Sequence, residues 1–155
     1  MNQTTSMKKE DIKKLAEESP CLCFQVRKAA KLITAVYEKM LKPYALTAPQ
    51  AAFLNAVHMF GPLTVNELAE ALATDRTTLT RNLKILERDG FILVIAGVDR
   101  RSKEISVTRK GKDTAVELTD VFKAFQTRLN KEVGQQRITD LCQEMCAVMH
   151  QIEDF

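Results

Sequence analysis

Between Thr64 and Val107 the hydrophobic period of the chain changes, and this change narrows the possible folds more than any other feature. Thr64 with Glu67 three residues later has the form of a capping box, in which hydroxyl and carboxylate each satisfy a backbone N–H that a first helical turn leaves orphaned. A short helix over 65–72 should follow, carrying Leu68, Ala69 and Leu72 inward. Residues 73–75 interrupt it, and Thr74 or Asp75 can cap a second helix ending at Arg88. Asp89-Gly90 closes that helix, because glycine takes the left-handed backbone of a helix terminus without a Cβ penalty. Helices of about two and four turns around so tight a break predict a helix-turn-helix. After Gly90 the period shortens: residues 91–96 are rich in β-branched and aromatic side chains, 97–101 are turn-like, and 104–107 alternate charged, apolar, polar, apolar. That pattern predicts one β-hairpin.

Helices flank this unit on both sides. Ser19 can act as N-cap with Pro20 at the first helical position, opening a helix that Pro43 stops after Lys42. Cys23, Val26, Ala30, Ile33, Tyr37 and Met40 recur along it at spacings of three and four, which predicts one long buried stripe. Residues 1–18 read as a loosely ordered tail. Thr47 and Gln50 form a second capping box, for a helix ending near Phe60 at Gly61-Pro62. Thr108 should cap a long helix to Val133, stopped by Gly134, with Leu118, Phe122, Phe125 and Leu129 on one face. A final helix over about 136–152 carries Ile138, Leu141, Cys142, Met145, Val148, Met149 and Ile152 at coiled-coil-like spacing. The expected fold is therefore mainly α with a small β-hairpin wing, in a single domain over 19–155.

Composition excludes several classes of function. The longest apolar run, beginning at Phe91, is far short of the roughly 18 to 20 residues that span a bilayer. Residues 1–14 are polar and mixed in charge, without the apolar stretch of a secretory signal, so the cytoplasm is the expected compartment. No Gly-rich phosphate loop, His-Glu-x-x-His or Gly-x-Ser-x-Gly pattern occurs, and the only histidines, His58 and His150, lie in different helices. No enzyme activity and no cofactor are expected. His58, beside Met59 and Phe60, reads as a packed or pocket-lining residue.

A net charge of +3 conceals a strong polarity. From Arg76 to Lys112 ten basic residues stand against four acidic ones, leaving the rest of the chain negative. On the helix over 76–88, Leu79, Leu83 and Leu86 define the buried side, while Arg76, Thr77, Thr80, Arg81 and Lys84 fall opposite. A solvated helix face normally mixes acids with bases, yet no acid occurs from Arg76 to Leu86. Thr, Arg and Lys are side chains that reach base edges and phosphates in a major groove about 12 Å wide. Asp99-Arg100-Arg101 then sets a basic tip on the hairpin turn. A guanidinium is drawn into the electronegative minor groove, and Asp99 can hold Arg101 extended through a charge-assisted bond. The candidate DNA-contacting residues are Thr64, Arg76, Thr77, Thr78, Thr80, Arg81 and Lys84, with Asp99, Arg100, Arg101 and Lys103 from the hairpin.

Five segments, Thr64-Val65-Asn66-Glu67-Leu68-Ala69, Asp75-Arg76-Thr77-Thr78-Leu79-Thr80-Arg81, Leu86-Glu87-Arg88-Asp89-Gly90, Asp99-Arg100-Arg101 and Val107-Thr108-Arg109-Lys110-Gly111, occur in an order that resembles the MarR family of dimeric winged helix-turn-helix transcription regulators. The resemblance covers nearly all of the chain after residue 19. It implies major-groove reading by the acid-free stripe, minor-groove insertion by Arg101 and a wing-bracing role for Asp99. It also implies homodimerisation through 19–46 and 112–155 around a DNA-binding region at 47–111. The implied partner is double-stranded DNA with a near-palindromic operator, its half-sites centred about 10 base pairs apart. The family further implies a repressor whose small-molecule effector, often a phenolic anion, binds between the dimer helices and the winged region.

The cysteines admit two accounts. Cys142 lies in the final apolar stripe and Cys146 borders it, so both read as small buried hydrophobes. Cys21 falls in the expected first turn of the first helix, where the positive end of the helix dipole favours a thiolate. Cys21 and Cys23 point to nearly opposite sides of a helix, whereas a bridge from either to Cys142 or Cys146 becomes possible if the first and last helices of a dimer pack together. Cys142, Cys146 and His150 at i, i+4 and i+8 lack an obvious closing ligand, so no metal is expected. Release of DNA by thiol oxidation stands beside release by a ligand. The competing class is a cytosolic thiol- or metal-binding sensor that uses its winged fold for protein contacts.

Overall fold

The computed structural model describes Lys14 and residues 18–97 and 103–152. In chain order the elements are α1 (Leu22–Leu41), a 3-10 turn (Lys42–Tyr44), α2 (Ala48–Phe60), β1 (Leu63–Thr64), α3 (Val65–Ala71), α4 (Arg76–Arg88), β2 (Ile92–Ala96), β3 (Lys103–Val107), α5 (Arg109–Val133) and α6 (Gln135–Ile152). The caps lie largely where their side-chain chemistry places them. Thr47 and Gln50 close a reciprocal box: the Thr47 N–H donates to Gln50 Oε1 at 2.9 Å, which satisfies the one buried polar side chain among the described residues. Thr64 and Glu67 do the same at α3, the Thr64 N–H reaching the carboxylate at 2.7 Å.

The hairpin is part of a larger sheet. β2 and β3 pair antiparallel with Ile92 opposite Val107 and Val94 opposite Ile105, and β1 adds to the far side of β3 with Leu63 opposite Ile105. The strand order β1-β3-β2 makes β3 central, and Ile105 is 1% exposed. Two residues are too few to show a period of two, so β1 left no signal in the sequence. One apolar cluster joins Phe53, Leu54 and Val57 of α2, Leu68 of α3, Leu79, Leu83 and Leu86 of α4, Ile92, Ile105, and Ala115 and Leu118 of α5. α2 thus forms the post around which the helix-turn-helix and the sheet are hung.

The flanking helices depart from expectation. α1 has Cys21 as its N-cap, with extended backbone and no side-chain cap, so neither Ser19 nor Pro20 opens the helix. Ser19 Oγ instead accepts the Cys21 N–H at 3.3 Å, and the Cys21 carbonyl accepts the first helical bond from Gln25. Cys21 therefore sits at the cap and not within the first turn. Two residues of the expected tail, Lys14 and Glu18, are helical and their side chains lie 4.0 Å apart. The apolar stripe of α1 forms but is not buried within the chain. Leu41 is enclosed and Tyr37 packs on Phe122 and Phe125 of α5, ring centroids 5.3 and 5.4 Å apart, whereas Val26, Ile33 and Val36 are exposed. α6 has no buried residue at all, and Leu141, Met145, Met149 and Ile152 stand in the open. Cys142 and Cys146, expected as buried hydrophobes, are exposed in this single chain, as are Cys21 and Cys23. The physical reason is geometric: among the described residues nothing lies over these faces.

Candidate nucleic-acid interface

The turn between α3 and α4 is built by its own backbone. Ala73 adopts a left-handed φ of 45°, Thr74 donates its hydroxyl to the Leu72 carbonyl at 2.9 Å, and Asp75 is left to cap α4. The Asp75 carboxylate accepts the Thr78 N–H at 2.8 Å, and hydrogen bonding from the Thr78 side chain first, and then from this backbone N–H, holds the carboxyl below its ordinary range. Glu67 is shifted the same way, chiefly by the backbone N–H of Thr64. Carboxylates at helix starts also complement the dipole. Glu67 and Asp75 are therefore committed to caps, and neither lies on the outer face of α4.

That outer face is open and cationic. Leu79, Leu83 and Leu86 anchor α4 in the core, while Arg76, Thr77, Thr80, Arg81, Lys84 and half-buried Ile85 line a shallow hollow of about 640 Å³. Five of the candidate residues are thus brought onto one surface. Thr78 is exposed outside the hollow, with its carbonyl accepting from Asn82 Nδ2 at 2.9 Å. Thr64 is half-buried and its hydroxyl is held by Glu67 at 2.7 Å, so its present engagement is the α3 cap. Lys103 opens β3 and is exposed. Asp99, Arg100 and Arg101 lie outside the described residues.

α4 ends in a complete Schellman motif: Gly90 has φ +76°, its N–H reaches the Glu87 carbonyl at 3.0 Å, and the Phe91 N–H reaches Leu86 at 2.9 Å. Beside it Arg88 makes two bonds to the Asp89 carboxylate, 2.7 and 3.0 Å, lowering the Asp89 carboxyl and raising the guanidinium. Lys110 crosses from α5 to the Asp89 carbonyl at 2.7 Å. Periodicity within either helix carries no trace of a contact joining residues so far apart in sequence.

The cysteines fall into two places. Cys23 shares an apolar groove of about 420 Å³ with Leu22 and Val26 of α1 and with Leu141, Met145 and Met149 of α6. Cys142 and Cys146 lie on α6. Among the described residues no three His, Cys, Asp or Glu side chains converge to hold a metal ion. None of the described helices is long and apolar enough to cross a membrane.

Comparisons with known proteins agree with this geometry. Residues 46–102 match the model of the MarR family. The HTH-type transcriptional regulator SarZ of Staphylococcus epidermidis is 32% identical over 123 residues, covering 77% of this chain and 83% of SarZ. The organic hydroperoxide resistance transcriptional regulator of Bacillus subtilis is 30% identical over 118 residues, 74% of this chain and 80% of that protein. Among solved structures, the M. tuberculosis transcriptional regulator MosR in complex with DNA is 33% identical, with a TM-score of 0.66 over 83% of this chain and 98% of MosR. With a capped helix-turn-helix, an antiparallel wing and relatives at this level of identity, the chain belongs to the MarR family of winged-helix transcription regulators.

Proposed function

We propose that this regulator acts in the cytoplasm as a homodimeric, sequence-specific DNA-binding repressor. The observation that carries the reading is the outer face of α4, where Arg76, Thr77, Thr80, Arg81 and Lys84 form one acid-free surface backed by three buried leucines. α4 enters the major groove and the hairpin reaches the flanking minor groove through Arg101, which follows Asp99 and Arg100 in the sequence between β2 and β3. The dimer forms through α1 and α6, whose apolar stripes are left largely exposed by the described residues of one chain. The DNA complex of the relative MosR supports the polyanion partner.

Direct titration tests this. The protein should bind a fragment from upstream of its own gene more tightly than unrelated DNA of equal length. Its log affinity should fall linearly with log salt, by about 0.9 per phosphate contacted. Equal affinity for both fragments at every salt concentration would remove sequence-specific regulation as the function.

Release follows thiol oxidation or a small ligand, and the hydroperoxide-resistance relative supports the first. Cys21, exposed at the start of α1, is the sensor on this reading. A hydroperoxide oxidises the thiol to a sulfenic acid and is itself reduced to the alcohol, or to water in the case of hydrogen peroxide. Mild peroxide should then lower DNA affinity reversibly with dithiothreitol, and Cys21→Ser should remove the response while leaving reduced binding intact. An undiminished response in Cys21→Ser would move the switch to another thiol. No response in the parent would leave the ligand route, with the effector between the dimer helices and the winged region.

A further inference from the structure

The geometry points to Lys110 as a positioning residue that sets the angle of α4 against α5, a role that rests on the reading of α4 as the DNA-reading helix. Two segments far apart in sequence meet here: the end of α4 at 88–91 and the start of α5 at 108–111. Thr108 donates its hydroxyl to the Gly90 carbonyl at 2.7 Å and its backbone N–H to the Phe91 carbonyl at 3.0 Å. Gly111 packs so closely on that same Phe91 carbonyl that any Cβ there would collide with it. These contacts tie the two backbones together at the Gly90-Phe91 side of the joint.

Lys110 ties the other side. Its ammonium donates to the Asp89 carbonyl at 2.7 Å and lies 4.2 Å from the centroid of the Phe91 ring. The Asp89 carbonyl is at the C-terminal end of α4, where the helix dipole favours a cation, and the ring face adds a cation–π attraction. Arg88 already engages the Asp89 carboxylate through two bonds, so the lysine is bound to backbone and not to a movable side chain. Phe91, only 6% exposed, makes the platform rigid. A hinge with one side tied can swing, whereas one tied on both sides holds an angle.

That angle matters because α5 is about 37 Å long at 1.5 Å per residue and leads into α6. A small rotation at its first turn changes where α4 stands relative to the dimer helices. Two α4 helices must meet major grooves about 34 to 36 Å apart. Lys110 acts on the DNA through this spacing, without touching it.

Lys110→Met keeps the stem and removes the charge, and Lys110→Arg keeps both a donor and a cation over Phe91. Operator affinity over a range of salt would be measured beside a distance distribution from spin labels at Glu87→Cys and Asp120→Cys, both exposed positions, with Cys21, Cys23, Cys142 and Cys146 replaced by Ser. Labelled chain would be diluted with unlabelled chain so that the distance is within one chain. The expected result is a dimer of unchanged circular dichroism in which Lys110→Met broadens the distance and weakens operator binding by roughly tenfold, about one charge-assisted hydrogen bond. The salt slope should not change, and Lys110→Arg should restore both readouts. An unchanged distance distribution overturns the proposal. If that came with weaker binding and a slope shallower by about one, Lys110 would be a phosphate contact instead. Failure of the parent to bind its operator would fault the reading of α4, while the distances would still decide the role of Lys110.

Discussion

Met145→Glu is expected to convert the protein to a monomer and to abolish specific operator binding in the same step. Met145 is 41% exposed in one chain and lines the apolar groove between α1 and α6 with Leu22, Val26 and Met149. If a second copy covers this groove, a carboxylate there loses its water, and an unpaired ion enclosed in an interface costs several kcal/mol. Ile33→Glu, on the exposed stripe of α1, should have the same outcome. Light scattering gives the mass, and the same samples titrated with operator DNA give the affinity. Both variants should remain folded, since neither residue belongs to the core cluster. A folded monomer that still bound the full operator tightly would refute dimeric recognition.

The second large effect is expected at the DNA face. Arg81→Ala should cost about 1 to 3 kcal/mol for one bidentate base contact, or roughly 5- to 150-fold in affinity, and should relax preference at one position of each half-site. Arg81 is exposed on the α4 hollow and has no hydrogen-bond or ion-pair partner among the described residues that its loss would strand. Arg101→Ala should instead weaken binding mainly at A·T-rich flanks, where a narrow minor groove attracts a guanidinium. Competition against a library of single-base operator variants separates the two patterns. Parent-like affinity and preference in both variants would mean that the recognition surface lies elsewhere.

Much of this was legible before any coordinates. The helix-turn-helix could be read because its signals are local: Thr64 with Glu67 and Gly90 act within one or two turns, and Leu79, Leu83 and Leu86 repeat at helical spacing. The cationic face of α4 was legible for the same reason, since a 3.6-residue period assigns side chains to faces without reference to the rest of the fold. Local chemistry was less decisive where two candidates competed. At 19–21 a serine before a proline promised a cap, but the Ser19 hydroxyl bonded the Cys21 N–H and displaced the helix start by two residues.

The sequence by itself determined the type and order of most elements, the inner and outer faces of α4 and the basic character of the region beside it. Only the tertiary structure decided three further matters. β1 exists because Leu63 and Thr64 meet the edge of β3, a pairing across some forty residues that no short window contains. The stripes on α1 and α6 are open, since periodicity says that a face is apolar but not what covers it. The lock of Lys110 on Asp89 and Phe91 arises because folding brings two distant helix ends within hydrogen-bonding range, and such proximity is a property of packing and not of the order of residues along the chain.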